Sequence, residues 1–151
     1  MILPIVQHPH PTLRKLCQPV LDVTSLGSLI PDMFETMYAA TGRGLAAPQV
    51  DRPIRVFVMD CTWKEGERTP VVMINPEILS KSPELQHNDE GCLSIEDHPV
   101  RVARPSRVEV MWADEAGMQQ RGAFEGFAAA CVQHEIDHLD GVLIVDYEDK
   151  E

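Results

Sequence analysis

The spacing of apolar and polar positions changes near residue 52. Before it, Leu29, Ile30, Met33, Met37 and Tyr38 recur at helical spacing, which puts them on one face of a helix that follows Ser28. Pro31 falls in the first turn of that helix, where amide hydrogens have no intrahelical partner. Gly42 is the expected C-terminal stop. After Arg52 the pattern turns to period two or to short apolar runs, which predicts strands at 54–60, 71–75, 100–104, Arg107–Ala113 and 118–124. In Arg107–Ala113, Val108, Val110 and Trp112 alternate with Arg107, Glu109 and Met111. Asp114-Glu115-Ala116-Gly117 supplies a turn, so the last two strands are expected to form a hairpin. A second helix is predicted over Gly126–Leu139, with Gly141 as its stop and only a poor N-cap in Glu125-Gly126. Residues 142–147 read as a closing strand. Strands before and after two helices, without regular alternation, predict the α+β class.

Composition narrows the partners. The chain has 151 residues and a formal net charge of −11, from 13 Lys+Arg against 24 Asp+Glu. That length predicts one domain over residues 1–151. So acidic a chain is repelled by phosphate backbones, so no direct nucleic-acid ligand is expected. No apolar run approaches a membrane span, and Met1-Ile2-Leu3-Pro4 lacks the basic start of a signal peptide, so no membrane partner is expected either. A cytoplasmic location follows, and with it a metal or thiol role for the cysteines in preference to disulfides. His8, His10, His87 and His98 read as solvated surface residues, and Cys17 and Cys61 as ordinary buried thiols.

His134-Glu135-Ile136-Asp137-His138 is different. Two histidines four apart share a helix face and can hold one metal ion, and the Glu after the first can reach a water there. The helix leading in is built of small apolar residues, Ala128 to Val132, so it is expected to be buried. A catalytic site of this type needs a third protein ligand and one open position. Cys92, in Glu90-Gly91-Cys92-Leu93-Ser94, is the best candidate, because the preceding Gly lets the backbone turn and approach closely. Cys131 would crowd the helix as a ligand and reads as pocket lining. In Gly42-Arg43-Gly44-Leu45-Ala46-Ala47-Pro48-Gln49 the small residues permit tight packing beside a ligand, and Gln49 offers an amide donor for a developing negative charge.

These three segments, in this order, resemble the peptide deformylase family, whose pattern is G-x-G-x-A-A-x-Q, E-G-C-L-S and Q-H-E-x-D-H-L-x-G. They stand here at 42–49, 90–94 and 133–141. Leu3-Pro4-Ile5-Val6, Leu13-Arg14-Lys15 and Ile74-Asn75-Pro76 extend the likeness to nearly the whole chain. The resemblance implies mostly antiparallel strands around a buried helix carrying H-E-x-x-H, plus one N-terminal helix. It implies removal of the N-formyl group from formyl-methionyl ends of nascent bacterial or organellar polypeptides. It also implies one divalent ion per chain, Fe(II) in the cell with Zn(II) or Ni(II) as substitutes. Carried over residue by residue, Cys92, His134 and His138 hold the metal, Glu135 is the general base and acid, and Gln49 with the Leu93 amide stabilises the oxyanion. Gly44, Leu45, Glu90, Gly91, Phe127, Ala130 and Cys131 are expected around the substrate. Phe127, Ala130 and Cys131 would wall the pocket for its first side chain, with Leu45 opposite.

Four positions depart from the family: Asn88 before the central segment, Glu96 and Pro99 after it, and Ala130 one turn before His134. All lie where substrate is expected, and none where the metal is. Many members also continue into a C-terminal helix that docks on the ribosome, whereas this chain ends ten residues after Gly141; a transient ribosome contact is the expectation. Two alternatives stand beside deformylation: a same-fold metal amidase with another N-acyl substrate, and a non-catalytic, metal-stabilised binding protein.

Overall fold

The computed structural model describes residues 1–148. Its frame is a five-stranded antiparallel sheet with both faces covered. The strands are β1 (Gly44–Ala46), β2 (Val56–Met59), β3 (Val71–Lys81), β6 (Arg107–Ala113) and β7 (Gln119–Glu125), in spatial order β1-β2-β3-β6-β7. Between β3 and β6 the chain leaves to form a separate hairpin of β4 (Leu85–Cys92) and β5 (Ile95–Pro105). Helices α1 (Leu29–Ala39) and α2 (Gly126–Leu139) cover opposite faces of the sheet.

Strand β2 shows why its sequence reads as a plain apolar run. Val56 and Val58 pack with Leu29, Met33 and Met37 of α1. Phe57 and Met59 pack on the other side with Ala129, Val132 and Ile136 of α2. A strand buried on both faces loses its polar alternation. A third apolar cluster joins the β4–β5 hairpin to the chain ends through Leu13, Ile95, Val100, Val102, Leu143 and Ile144. The predicted α+β class, both helices and the β6–β7 hairpin are present. Asp114 closes that hairpin by accepting the amides of Ala116 and Met118 on its own side chain.

Several expectations are corrected. Residues 142–147 form no strand. Ile144–Tyr147 is a 3-10 turn capped by Asp146, which accepts the Leu143 amide, and its apolar side chains plug the third cluster instead of alternating. The stop of α1 is Thr41, which takes the left-handed conformation at φ 57°. Gly42 instead makes room for a neighbour: a Cβ there would lie 2.7 Å from Leu93 Cδ1, so the leucine side chain would have to shift. Gly141 does act as the stop of α2, at φ 75°, with the Arg14 carbonyl too close for a side chain. Strands β1 and β4 are additional to those predicted, and β3 and β5 run longer. No helix among the described residues is long and apolar enough to cross a membrane.

Candidate active site

The sheet, α2 and the hairpin meet around a cavity of about 960 Å³. Helix α2 enters it with Phe127, Ala130, Cys131, His134 and Glu135 on one side, the face that spacings of three and four residues select. The hairpin delivers Cys92 at a register shift between Glu90 and Cys92, and Gly91 there has open space where a side chain would stand. The Cys92 sulfur lies 3.3 Å from His138 Nε2. One ligand atom each from Cys92, His134 and His138 falls within 4.8 Å of the others. The cluster is able to hold a metal ion.

The surroundings fit a cation. His138 is buried and its Nδ1 has no hydrogen-bond partner among the described residues, as is true of Glu135 Oε1. Burial, with His134 and Arg104 nearby, pushes His138 well below its ordinary pKa, so it is a neutral imidazole with a lone pair to offer. Burial opposes charge on His134 as well, yet Glu135, Cys92 and Glu90 outweigh it and raise that group. One imidazole is thus held neutral while the other sits among carboxylate and thiol groups that favour its charged form. Burial lifts the Glu135 carboxyl up to about 7, with His134 opposing and Glu90 reinforcing the shift, the range in which a group both takes and returns a proton at neutral pH.

Glycine at 44 is a contact requirement. A Cβ built there would be 2.4 Å from Glu135 Oε2, so β1 presses its bare backbone against that carboxylate. Gln49 follows in a 3-10 turn and is buried. Its Oε1 accepts the Ala46 amide at 2.9 Å, which fixes the orientation of the side chain. Its Nε2 donates to Ser94 Oγ at 3.0 Å and lies 3.6 Å from the Cys92 sulfur. Leu93 lines the cavity, whereas Leu45 does not: its side chain is fully buried among Met33, Met37 and Ile74. Gly44 and Arg43 line the cavity instead, the Arg43 guanidinium 5.1 Å from the Phe127 ring centroid.

Glu90 lines the cavity but has both oxygens engaged. Oε1 takes His134 Nδ1 at 3.0 Å, and the carboxylate receives Arg104 at 2.7 and 2.9 Å. These bonds hold its carboxyl below the ordinary value although burial pushes the other way. So engaged, Glu90 can orient the His134 imidazole. Arg104 also reaches Asp137 at 2.8 Å, and Asp137 accepts the Tyr147 hydroxyl at 2.7 Å. Sequence reasoning missed Arg104, Asp137, Tyr147 and Ser94. One signal was available: Arg104 continues the inward period-two register of Val100 and Val102, and a charge at such a position needs buried partners.

The other histidines and cysteines separate cleanly. His8 and His87 are exposed; His10 caps the 3-10 turn at Pro11–Arg14 through Nδ1, and His98 pairs with Glu148. Burial raises the Cys17 thiol to about 11. Cys61 is half-buried, and Cys131 lines the cavity as expected.

Known proteins share this arrangement. The family model for polypeptide deformylase matches residues 2–151. A peptide deformylase of Afipia carboxidovorans is 50% identical over 147 residues, covering 97% of this chain and 86% of its own. The crystal structure of peptide deformylase from Thermotoga maritima superposes with a TM-score of 0.91 at 43% identity, covering 97% of both chains. A Met-Ala-Ser-bound peptide deformylase from Acinetobacter baumannii superposes at 0.89 with 35% identity, over 97% of this chain and 98% of that one. The fold and family read from the three motifs are the observed ones, and this chain belongs to the polypeptide deformylase family.

Proposed function

We propose that this chain is a metal-dependent hydrolase that removes the N-formyl group from N-terminal formyl-methionine of nascent polypeptides and releases formate. The observation that carries the reading is the Cys92–His134–His138 cluster with Glu135 Oε1 buried and unpartnered in the same cavity. In this reading those three residues hold one divalent ion, Fe(II) in the cell and replaceable by Zn(II) or Ni(II). When bound, such an ion supplies Lewis-acid polarisation and lowers the pKa of water at its open position. Glu135 takes the proton of the attacking water, whose oxygen bonds to the formyl carbon. The Gln49 side-chain amide and the Leu93 backbone N–H donate to the oxygen on which negative charge grows. One such donor is typically worth about 2.7–4 kcal/mol. Glu135 then passes its proton to the nitrogen as the C–N bond breaks, leaving a free amine and formate.

The bound peptide of the Acinetobacter relative, Met-Ala-Ser, supports a methionyl end as the substrate. Ala130, Phe127 and Cys131 offer an apolar wall that suits a long unbranched side chain. The bacterial relatives support a cytoplasmic site of action, with transient approach to ribosomes presenting new chains. Formate release from formyl-Met-Ala-Ser, compared with its acetyl and propionyl counterparts, tests the reading. A strong formyl preference is expected. Equal or faster loss of another acyl group would favour the amidase alternative, and no hydrolysis of any by metal-loaded protein would favour a binding protein.

A further inference from the structure

The two groups assigned to the oxyanion are tied to one short stretch of chain. Cys92 and Ile95 are partners in the β4–β5 ladder, so Leu93 and Ser94 form a two-residue turn between them. Such a turn closes through its flanking residues, and the Leu93 N–H is left out of the ladder. Both turn carbonyls are held from outside the hairpin. Gln7 Nε2 donates to the Leu93 carbonyl at 3.0 Å, and the His8 amide donates to the Ser94 carbonyl at 2.8 Å. The Val6 amide donates to the Gln49 carbonyl at 2.8 Å. Val6, Gln7 and His8 thus bridge the backbones of Gln49 and Leu93. Gln7 supplies the side chain in this bridge; it lies outside the three sequence motifs and lines the cavity.

Leu93 is held from a second side. Its side chain packs where Gly42 has no Cβ, and the carbonyl of the buried Gly42 accepts Trp63 Nε1 at 2.9 Å. Trp63 meets the Tyr38 ring edge-on with centroids 5.2 Å apart, and Tyr38 donates its hydroxyl to buried Asp60 at 2.5 Å. The Cα of Leu93 is tetrahedral, so fixing its side chain and its carbonyl leaves one direction for its amide nitrogen. We propose that Gln7 is a positioning residue: by holding the Leu93 carbonyl against this packed side chain, it keeps the Leu93 N–H aimed at the oxygen on which charge develops. The inference rests on the deformylase reading proposed above. A donor that meets charge only in the transition state contributes to kcat and not to ground-state binding. Losing such a donor outright costs about 10²–10³-fold in kcat. Without Gln7 the N–H remains but is less firmly aimed, and a loss of about 5–20-fold is expected.

The test uses the metal-loaded protein with formyl-Met-Ala-Ser as substrate and two binding probes. One probe is the product Met-Ala-Ser; the other is its analogue with a tetrahedral phosphonate in place of the formyl group. Gln7 is exposed, so its substitution leaves the core intact. Gln7→Met keeps the length of the side chain and loses the donor. It is expected to lower kcat about 5–20-fold with KM and metal content within about twofold of wild type. Affinity for the phosphonate should fall by the same factor as kcat/KM, while affinity for Met-Ala-Ser stays within about twofold. Gln7→Lys restores a donor on a flexible stem and should recover kcat to within about threefold of wild type. Unchanged kcat in Gln7→Met would overturn the proposal, as would a rise in KM at constant kcat. So would equal weakening of the phosphonate and the product, which a general loosening of the site would give, or a Gln7→Lys protein as impaired as Gln7→Met. A wild type inert on formyl-Met-Ala-Ser would instead overturn the deformylase reading, and the role of Gln7 with it.

Discussion

Two residues that never touch in sequence, Gly44 and Glu135, touch in the site, and each restricts the other. A methyl group at 44 would sit 2.4 Å from Glu135 Oε2, so Gly44→Ala must displace the carboxylate. Misplacing a reacting group by about 1 Å can cost roughly 10²-fold; a loss of that order in kcat with metal content unchanged is expected. Glu135→Gln should also retain metal and lose about 10²–10⁴-fold. If the glycine acts through the carboxylate, Gly44→Ala should cost little more in the Glu135→Gln background, which a double-mutant cycle reads directly. Arg104 is a case of buried charge. Its side chain is 4% exposed between Glu90 and Asp137, and Arg104→Met takes the guanidinium from both carboxylates, leaving Glu90 with His134 and Asp137 with the Tyr147 hydroxyl. Urea unfolding should show a loss of about 3–5 kcal/mol. Competition with a chelator should show metal affinity falling about 10–100-fold, because Glu90 no longer holds the His134 ring as firmly.

Helix α2 concentrates the site because one of its faces meets the cavity at Phe127, Ala130, Cys131 and His134. Ala130→Ile fills space on that face. With unbranched and bulky first residues compared, methionyl turnover should persist while the bulky substrates lose up to about 10–200-fold, the worth of one or two methylenes. An unchanged ratio would remove Ala130 from the pocket wall. That face was legible in sequence because helical periodicity places residues three and four apart together, and His134 and His138 mark which face matters. The β6–β7 hairpin was legible for a similar reason, with period two and a turn of Asp and Gly. Strand β4 was not: Leu-Gln-His-Asn-Asp-Glu-Gly-Cys has no apolar alternation, since it is a strand only by pairing with β5. The role of Glu90 was hidden with it, because its partner Arg104 lies on that other strand. The 3-10 turn at Ile144–Tyr147 reads as a strand locally, and only Asp146 capping Leu143 reveals otherwise.

At the scale of the whole molecule, the three residues able to hold a metal ion come from two bodies with different support. His134 and His138 ride on α2, which is packed against the five-stranded sheet through the cluster of Phe57, Met73 and Ile136. Cys92 rides on the β4–β5 hairpin, which belongs to another sheet and another cluster. That cluster holds no α2 residue, and the hairpin reaches α2 through polar contacts: Glu90 with His134, Arg104 with Asp137, Cys92 with His138, Gln86 with the Gly126 carbonyl and Gln133 with the Pro105 carbonyl. An ion held by Cys92, His134 and His138 would therefore tie the hairpin to the helix, and its binding would stabilise the folded state by mass action. At one hundred times its dissociation constant the gain is about 2.7 kcal/mol, or about 5–10 °C in Tm for a chain of this size. The gain should be uneven. Because local openings draw on the least supported segments first, chelation should raise amide hydrogen exchange most in Leu85–Cys92 and Ile95–Pro105. Val56–Met59 and Val71–Lys81, paired with each other inside the larger sheet, should change little. Uniform loss of protection across both sheets would show instead that the two bodies open as one, and that the hairpin owes its position to packing more than to the metal.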